Sequence, residues 1–171
     1  MRDVSHLPSE GVIRLNDFRS SDVPTLILAD QDSEHRRRFD VPDDFEPSVQ
    51  HAERTLATWL CDKAKGVRWA LAVRDCATGD LLGGCELRLS GVHSVQLSYW
   101  TYPAHRSKGV GTRAVALACR LAFEKLKLEQ VELAIDSDNP PSRRIALRNG
   151  FSECGLYEGR MRYVIERCDA G

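Results

Sequence analysis

A chain of 171 residues is most simply one domain, long enough to bury about two thirds of the surface it exposes when unfolded. Its 42% hydrophobic and 29% charged residues are ordinary for a globular chain, and a net charge of −1 lacks the basic excess of a general nucleic-acid or membrane-surface binder. Cys61, Cys76, Cys85, Cys119, Cys154 and Cys168 stand far apart, with no Cys-x-x-Cys and no histidines paired at metal-ligand spacing. That pattern points to reduced thiols rather than a disulfide framework or a metal site.

Met1–His6 has no apolar run of the kind a secretory signal carries, and the longest apolar runs are far too short for a membrane span. The expected compartment is the cytoplasm. Residues 1–10 read as loose. Val12–Asn16 reads as a first strand, and Ser20-Ser21-Asp22-Val23-Pro24 as a helix start with proline in the first turn. That helix is short, because Asp40-Val41-Pro42-Asp43-Asp44 breaks the pattern into a loop. Ser48 then caps a helix from Val49 to Lys65, with Ala52, Leu56, Trp59 and Leu60 on one stripe. Strands over Val67–Val73, Leu81–Leu89 and Ser94–Thr101, joined at Thr78-Gly79-Asp80 and Ser90-Gly91-Val92-His93, predict an antiparallel meander.

After Pro103 comes Arg106-Ser107-Lys108-Gly109-Val110-Gly111-Thr112 and then a long helix pattern, with Val110, Ala114, Leu117, Ala118, Leu121 and Ala122 at helical spacing. Glu129–Ile135 reads as a buried strand. Asn139 can cap a helix whose first turn holds Pro140 and Pro141, and Asn149-Gly150 stops it. Phe151–Leu156 and Arg160–Glu166 make a last antiparallel pair. With no repeat, linker or low-complexity tract, residues 1–171 read as a single domain.

The stretch 106–112 carries the chemistry. Two glycines one residue apart allow a tight turn and leave the amides uncovered, and the helix that follows offers unpaired N–H groups and the positive end of its dipole. Arg106 and Lys108 add cationic donors, so the loop suggests a pyrophosphate cradle. From Pro103 to Lys127 there are six Lys or Arg against one acid, Glu124. Ala114 keeps the spacing of a dinucleotide fingerprint open, although the strand before the loop lies late in the chain, inside a run of hairpins. A Gly-Lys-Ser/Thr phosphate loop is absent. A glycine-rich turn that merely starts a helix is the plain alternative.

Tyr102 to Gly111 resembles the acetyl-CoA-binding motif of the GNAT N-acetyltransferase superfamily, Arg/Gln-x-x-Gly-x-Gly/Ala. Asp138-Asn139-Pro140-Pro141-Ser142-Arg143-Arg144, followed by Asn149-Gly150-Phe151, is similar to that superfamily's second half, above all in its ribosomal-protein N-terminal acetyltransferase branch. The resemblance covers residues 94–157. It implies an α/β (α+β) domain of GNAT type: a mixed, mostly antiparallel twisted sheet of about seven strands flanked by about four helices. It also implies transfer of acetyl from acetyl-CoA to a primary amine, by direct attack within a ternary complex, with no metal; dimers are common among such proteins.

By the same resemblance the backbone of Trp100, Thr101 and Tyr102 runs beside the cofactor, and Arg106, Ser107, Lys108, Gly109, Val110, Gly111 and Thr112 hold its diphosphate. Asn139 would contact the pantetheine amide or cap its helix. Ser142 would protonate the departing thiolate or simply occupy a first turn. The tyrosine that many relatives place before the Gly-Phe pair is missing from positions 143–149. Where some relatives carry a basic glutamate this chain has Gln96, so Glu86 on the preceding strand is the substitute base, with His93 second. Glu86 could equally be a strand acid paired with Arg88, and His93 a turn residue. Tyr99 and Tyr157 are further candidates without rank. The segment Asp30–Arg54, with eight acids against four arginines, could steer a cationic amine (a peptide N-terminus, a polyamine or an aminoglycoside) or be a solvated surface. The departures at Gln96 and 143–149 leave a non-catalytic acyl-CoA-binding sensor as the alternative function.

Overall fold

The strand-forming runs in the first hundred residues fold back on one another, as their turn residues dictate. The computed structural model of the protein describes residues 7–167; the expectations for Met1–His6 and Cys168 lie outside them. β1 (Ser9–Glu10) pairs with β2 (Ile13–Asn16), and a helical segment α1 (Val23–Ala29), a short α2 (Ser33–Arg38) and the long α3 (Val49–Lys65) follow. β3 (Arg68–Asp75), β4 (Leu81–Leu89) and β5 (Ser94–Thr101) complete the antiparallel meander. Asp75 shapes the β3–β4 turn by accepting from the amides of Ala77 (2.8 Å) and Thr78 (2.9 Å). α4 (Val110–Arg120), prolonged by one wider turn over Leu121–Lys125, crosses to β6 (Gln130–Ile135), the one strand that joins its neighbour in parallel. α5 (Pro140–Arg148) leads into the hairpin of β7 (Ser152–Tyr157) and β8 (Arg160–Glu166). The sheet order is β1-β2-β3-β4-β5-β6-β8-β7.

The expected class stands, with eight strands in place of about seven and five α-helices in place of about four among the described residues. The additions have physical causes. β1 is two residues of the segment read as loose, held by its ladder to β2. α2 has no apolar stripe to read. Asp32 caps it, accepting from His35 N at 2.8 Å, and Glu34 pairs with Arg38 at 2.8 Å and Arg37 at 3.0 Å.

Alternation along the central strands divides the core in two. Leu71 and Val73 of β3, Cys85 and Leu87 of β4, and Val95 and Leu97 of β5 pack with α4. On the other face Ala72 joins Phe18, Leu26, Ala52 and Leu56, and Trp59 and Trp100 pack against that second cluster. Asp22, at the start of α1, forms a buried ion pair with Arg74 (2.5 Å) that pins the helix to β3. The five described cysteines are free; burial pushes the thiols of Cys85 and Cys119 up to about 12. No helix of the described residues is long and apolar enough to cross a membrane.

Candidate active site

The site begins where two strands part. β5 pairs with β6 only from Ser94 to Gln96, opposite Gln130 to Glu132; beyond that β5 keeps β4 and β6 keeps β8. The edge of β5 from Leu97 to Thr101 therefore has no partner strand on its β6 side, and the fork opens a groove of ≈ 660 Å³. The unpaired edge of one strand is a template for an extended, amide-bearing ligand.

At the open end of the fork lies the glycine loop. Ser107 (φ 60°) and Gly109 (φ 77°) both take the left-handed conformation, which glycine adopts without penalty. Gly109 begins α4 with no side-chain cap; its carbonyl accepts from Arg113 N at 3.2 Å, so the amides just after it have no partner inside the helix. A Cβ at Gly109 would meet only Arg113 Nη1, at 3.9 Å, so its side of the turn is open. Gly111 does different work: a Cβ there would lie 3.1 Å from Ile145 Cδ1 and 3.4 Å from Tyr99 Cε2, so its absence lets α4 sit close to α5 and β5. The combination of bared amides, a helix dipole and an uncovered turn fits a diphosphate.

Trp100, Thr101, Arg106, Ser107, Gly109, Val110, Gly111, Thr112, Asn139 and Ser142 all line the groove. Tyr102 and Lys108 do not. Tyr102 is 6% exposed and lines a second cavity, while Lys108 Nζ donates to the carbonyl of Ala104 at 2.9 Å. Arg106 reaches the groove, but its guanidinium is bound to Asp32 (2.5 Å) and to Thr101 O (3.1 Å). Against the desolvation that would raise it, the Arg106 hydrogen bond holds the Asp32 carboxyl below the usual carboxylate range. Arg144 and Arg148, one turn apart on α5, also line the groove; the sequence signalled them only by their i,i+4 spacing.

Asn139 caps α5, its Oδ1 accepting from Ser142 N at 3.2 Å, which leaves its amide nitrogen for the groove. The Tyr99 hydroxyl is buried beside Ser142, and burial pushes its pKa up to about 12, a rise that Ser142 tempers. It therefore stays protonated beside the groove, where the sequence had offered Tyr99 without rank.

The second cavity, ≈ 260 Å³, adjoins the groove at His35, Phe39, Arg88, Ser98 and Trp100. Glu86 lines it, but its carboxylate is shared between Arg88 (2.5 Å) and Arg68 (3.4 Å), the pairing that was its plain reading. His93 lies at the opposite end of β5 from the glycine loop, 3.8 Å from Glu129 and well exposed, in a turn outside both cavities. The histidine at the junction is His35, which the sequence analysis passed over. It is packed against Phe39 with ring centroids 4.6 Å apart, and its Nε2 lies 3.7 Å from Asp30. Burial pushes His35 below its ordinary range, the Asp30 carboxylate opposing, so the ring is neutral at pH 7.

α2 holds this junction in place. Arg38 bonds Asp136 (3.1 Å) and Asp138 (2.6 Å), and Arg37 also binds Asp138, while Asp32 at the start of α2 holds Arg106. The helix thus ties the β6–α5 side of the fork to the loop that follows β5. Arg36 is spent differently, donating to the carbonyls of Asp30 and Phe45.

Known proteins share this fold. A family model described as an acetyltransferase (GNAT) domain matches residues 13–152. The uncharacterized N-acetyltransferase YoaA of Bacillus subtilis (strain 168) is 25% identical over 113 residues, a match spanning 64% of this chain and 63% of that protein. Among solved structures, RimJ of Mycobacterium smegmatis in complex with CoA-disulfide superposes with a TM-score of 0.76 at 19% identity, covering 91% of this chain and 82% of that one. Spermidine N-acetyltransferase of Vibrio cholerae in complex with CoA and spermine gives 0.75 at 20%, covering 92% and 96%. At such identities the superpositions speak for the fold, and the family model speaks for the family: the chain belongs to the GNAT acetyltransferases.

Proposed function

We propose that this protein is an acetyl-CoA-dependent N-acetyltransferase that acylates a primary amine by direct attack within a ternary complex. The observation that carries the reading is the junction: a forked groove with a phosphate cradle at its mouth opens, at Ser98 and Trp100, onto a separate cavity that can hold an acceptor. When bound, acetyl-CoA supplies an activated acyl thioester. The chain's own part is to hold it, admit the amine and manage protons.

The amides after Gly109 take the diphosphate, Arg144 and Arg148 supply positive charge along the groove, and the free edge of β5 from Leu97 to Thr101 binds the amide-bearing arm. An incoming ammonium must shed two protons to become an amide nitrogen. His35, neutral and at the junction, is better placed to accept the first than Glu86, both of whose oxygens face arginines. The second ends on the departing thiol, with Ser142 as donor and the protonated Tyr99 beside it. The free thiols suit a reducing, cytoplasmic setting.

Calorimetry with acetyl-CoA, followed by a free-thiol assay over a panel of primary amines, tests the reading. Saturable binding and amine-dependent thiol release are expected. Binding without release with any amine would favour an acyl-CoA sensor, and no binding by folded protein would overturn the reading.

A further inference from the structure

The cavity behind Trp100 has a chemistry of its own. Its ≈ 260 Å³ equals about nine waters at ~30 Å³ each, room for a compact organic molecule. Aromatic rings form much of its wall. Phe39 stands edge-on to Trp100 with centroids 5.6 Å apart, Trp59 lies 6.4 Å from Trp100, and Phe18 backs both at 4.9 and 6.2 Å. Leu26, Val41 and Ala52 complete the apolar lining.

Two carboxylates reach this cavity, and they differ. Glu86 is neutralised by Arg68 and Arg88. Asp30 has, among the described residues, one side-chain contact of ion-pair range, the neutral His35 at 3.7 Å; Arg36 donates to its backbone carbonyl, and His51 of the cavity wall and Arg36 act on the carboxylate through space. Desolvation raises the Asp30 carboxyl above its ordinary range. A half-buried carboxylate with no cation in hydrogen-bond contact among the described residues, beside aromatic faces, is a place where an ammonium can be held. Tyr102, 6% exposed in the same wall, sets its hydroxyl beside Trp100.

We infer that this cavity receives the acceptor and selects a compact primary amine with an aromatic or branched apolar body, its ammonium drawn to Asp30 and its body held between Trp59, Trp100 and Phe39. The inference rests on the acetyl-transfer reading above. A polyamine fits poorly, because its further ammonium groups would find no second free carboxylate among the described residues lining the cavity and would meet Arg88 at the junction. A peptide N-terminus fits poorly for another reason: ≈ 260 Å³ suits a compact molecule, and each further residue brings an amide for which the neutral hydroxyls of the lining are only Thr55, Ser98 and Tyr102.

The test compares kcat/KM for 2-phenylethylamine, spermidine and the peptide Ser-Ala-Ala-amide at saturating acetyl-CoA. 2-Phenylethylamine is expected to lead by about tenfold or more. Asp30→Asn is expected to raise its KM about ten- to a hundredfold, as for a lost hydrogen bond to a charged group, with the acetyl-CoA dissociation constant unchanged. Trp59→Leu should raise the same KM, and amine titration should quench tryptophan fluorescence in the wild type and less so in this variant. A lead for spermidine or for the peptide overturns the inference while leaving acetyl transfer intact. So does an unchanged amine KM in Asp30→Asn. Failure to bind acetyl-CoA overturns both.

Discussion

Placing one methyl group at Gly84 should strike the cavity proposed for the acceptor from behind. Gly84 lies in β4 directly beneath Trp100, and a Cβ there would sit 2.6 Å from Trp100 Cε2, closer still to Cζ2, and 2.9 Å from Phe18 Cζ. Non-bonded carbons rest at about 3.5–4.0 Å, so the indole must retreat by about 1 Å or more. Phe18 and Trp59 already pack around it, which leaves the cavity as the direction of escape. Overpacking of this kind costs about 1–3 kcal/mol. In a domain of this size each kcal/mol lowers Tm by about 2–4 °C. Gly84→Ala is therefore expected to fold, to melt a few degrees lower, and to raise the acceptor KM several-fold, with the affinity for acetyl-CoA reduced less. Thermal melts, calorimetry with acetyl-CoA and steady-state kinetics read the three quantities separately. An unchanged melt together with an unchanged acceptor KM would refute the reasoning, as would a loss confined to acetyl-CoA.

Three other outcomes follow from the same geometry. Gly109→Trp puts an indole over the uncovered turn and should abolish the heat of acetyl-CoA binding; unaltered affinity would remove the cradle from Gly109. Asp22→Ala strands the Arg74 guanidinium inside the protein and should cost about 3–5 kcal/mol in urea titration, and a loss below 1 kcal/mol would mean that the pair does not pin α1. His35, whose native pKa lies below its ordinary 6.5, binds fewer protons when folded than when unfolded in the window just below that value. Stability should then fall as pH drops through 6.5, and less steeply in His35→Gln; equal slopes for wild type and variant would contradict the burial argument.

What the sequence made legible was whatever local chemistry encodes. Ser48 and Asn139 mark their helix starts because each side chain satisfies an amide three residues on, and the structure shows both bonds. The glycine loop was readable for the same reason. α2 was not: six polar residues have no periodic stripe, and its anchors, Asp136 and Asp138, are about a hundred residues distant. His35 went unseen with it. Lys108 lies outside the groove lining, and its ammonium donates to a local carbonyl, that of Ala104, a contact that spacing alone does not announce. Glu86 could be seen beside Arg88 in sequence, but Arg68 arrives from the next strand, whose register sets Arg68 against Arg88.

The two cavities are joined through the parity of one strand. Val95, Leu97 and Tyr99 of β5 pack toward α4, and Trp100, between them and the loop, packs with Phe18 and Trp59 on the opposite face. The groove therefore follows the strand's edge while the cavity proposed for the acceptor lies on one of its faces, and Ser98 and Trp100 belong to both. A strand has a side-chain period of two, so a one-residue slip between Gln96 and Ser98 would bury Ser98 and Trp100 under α4 and present Tyr99 to the acceptor. The antiparallel ladder to β4, which runs unbroken from Leu89–Val95 to Gly83–Thr101, forbids that slip. The short parallel ladder to β6 lets the other edge go free. The same strand is thus fixed on one side and open on the other, which is what a site for two substrates requires.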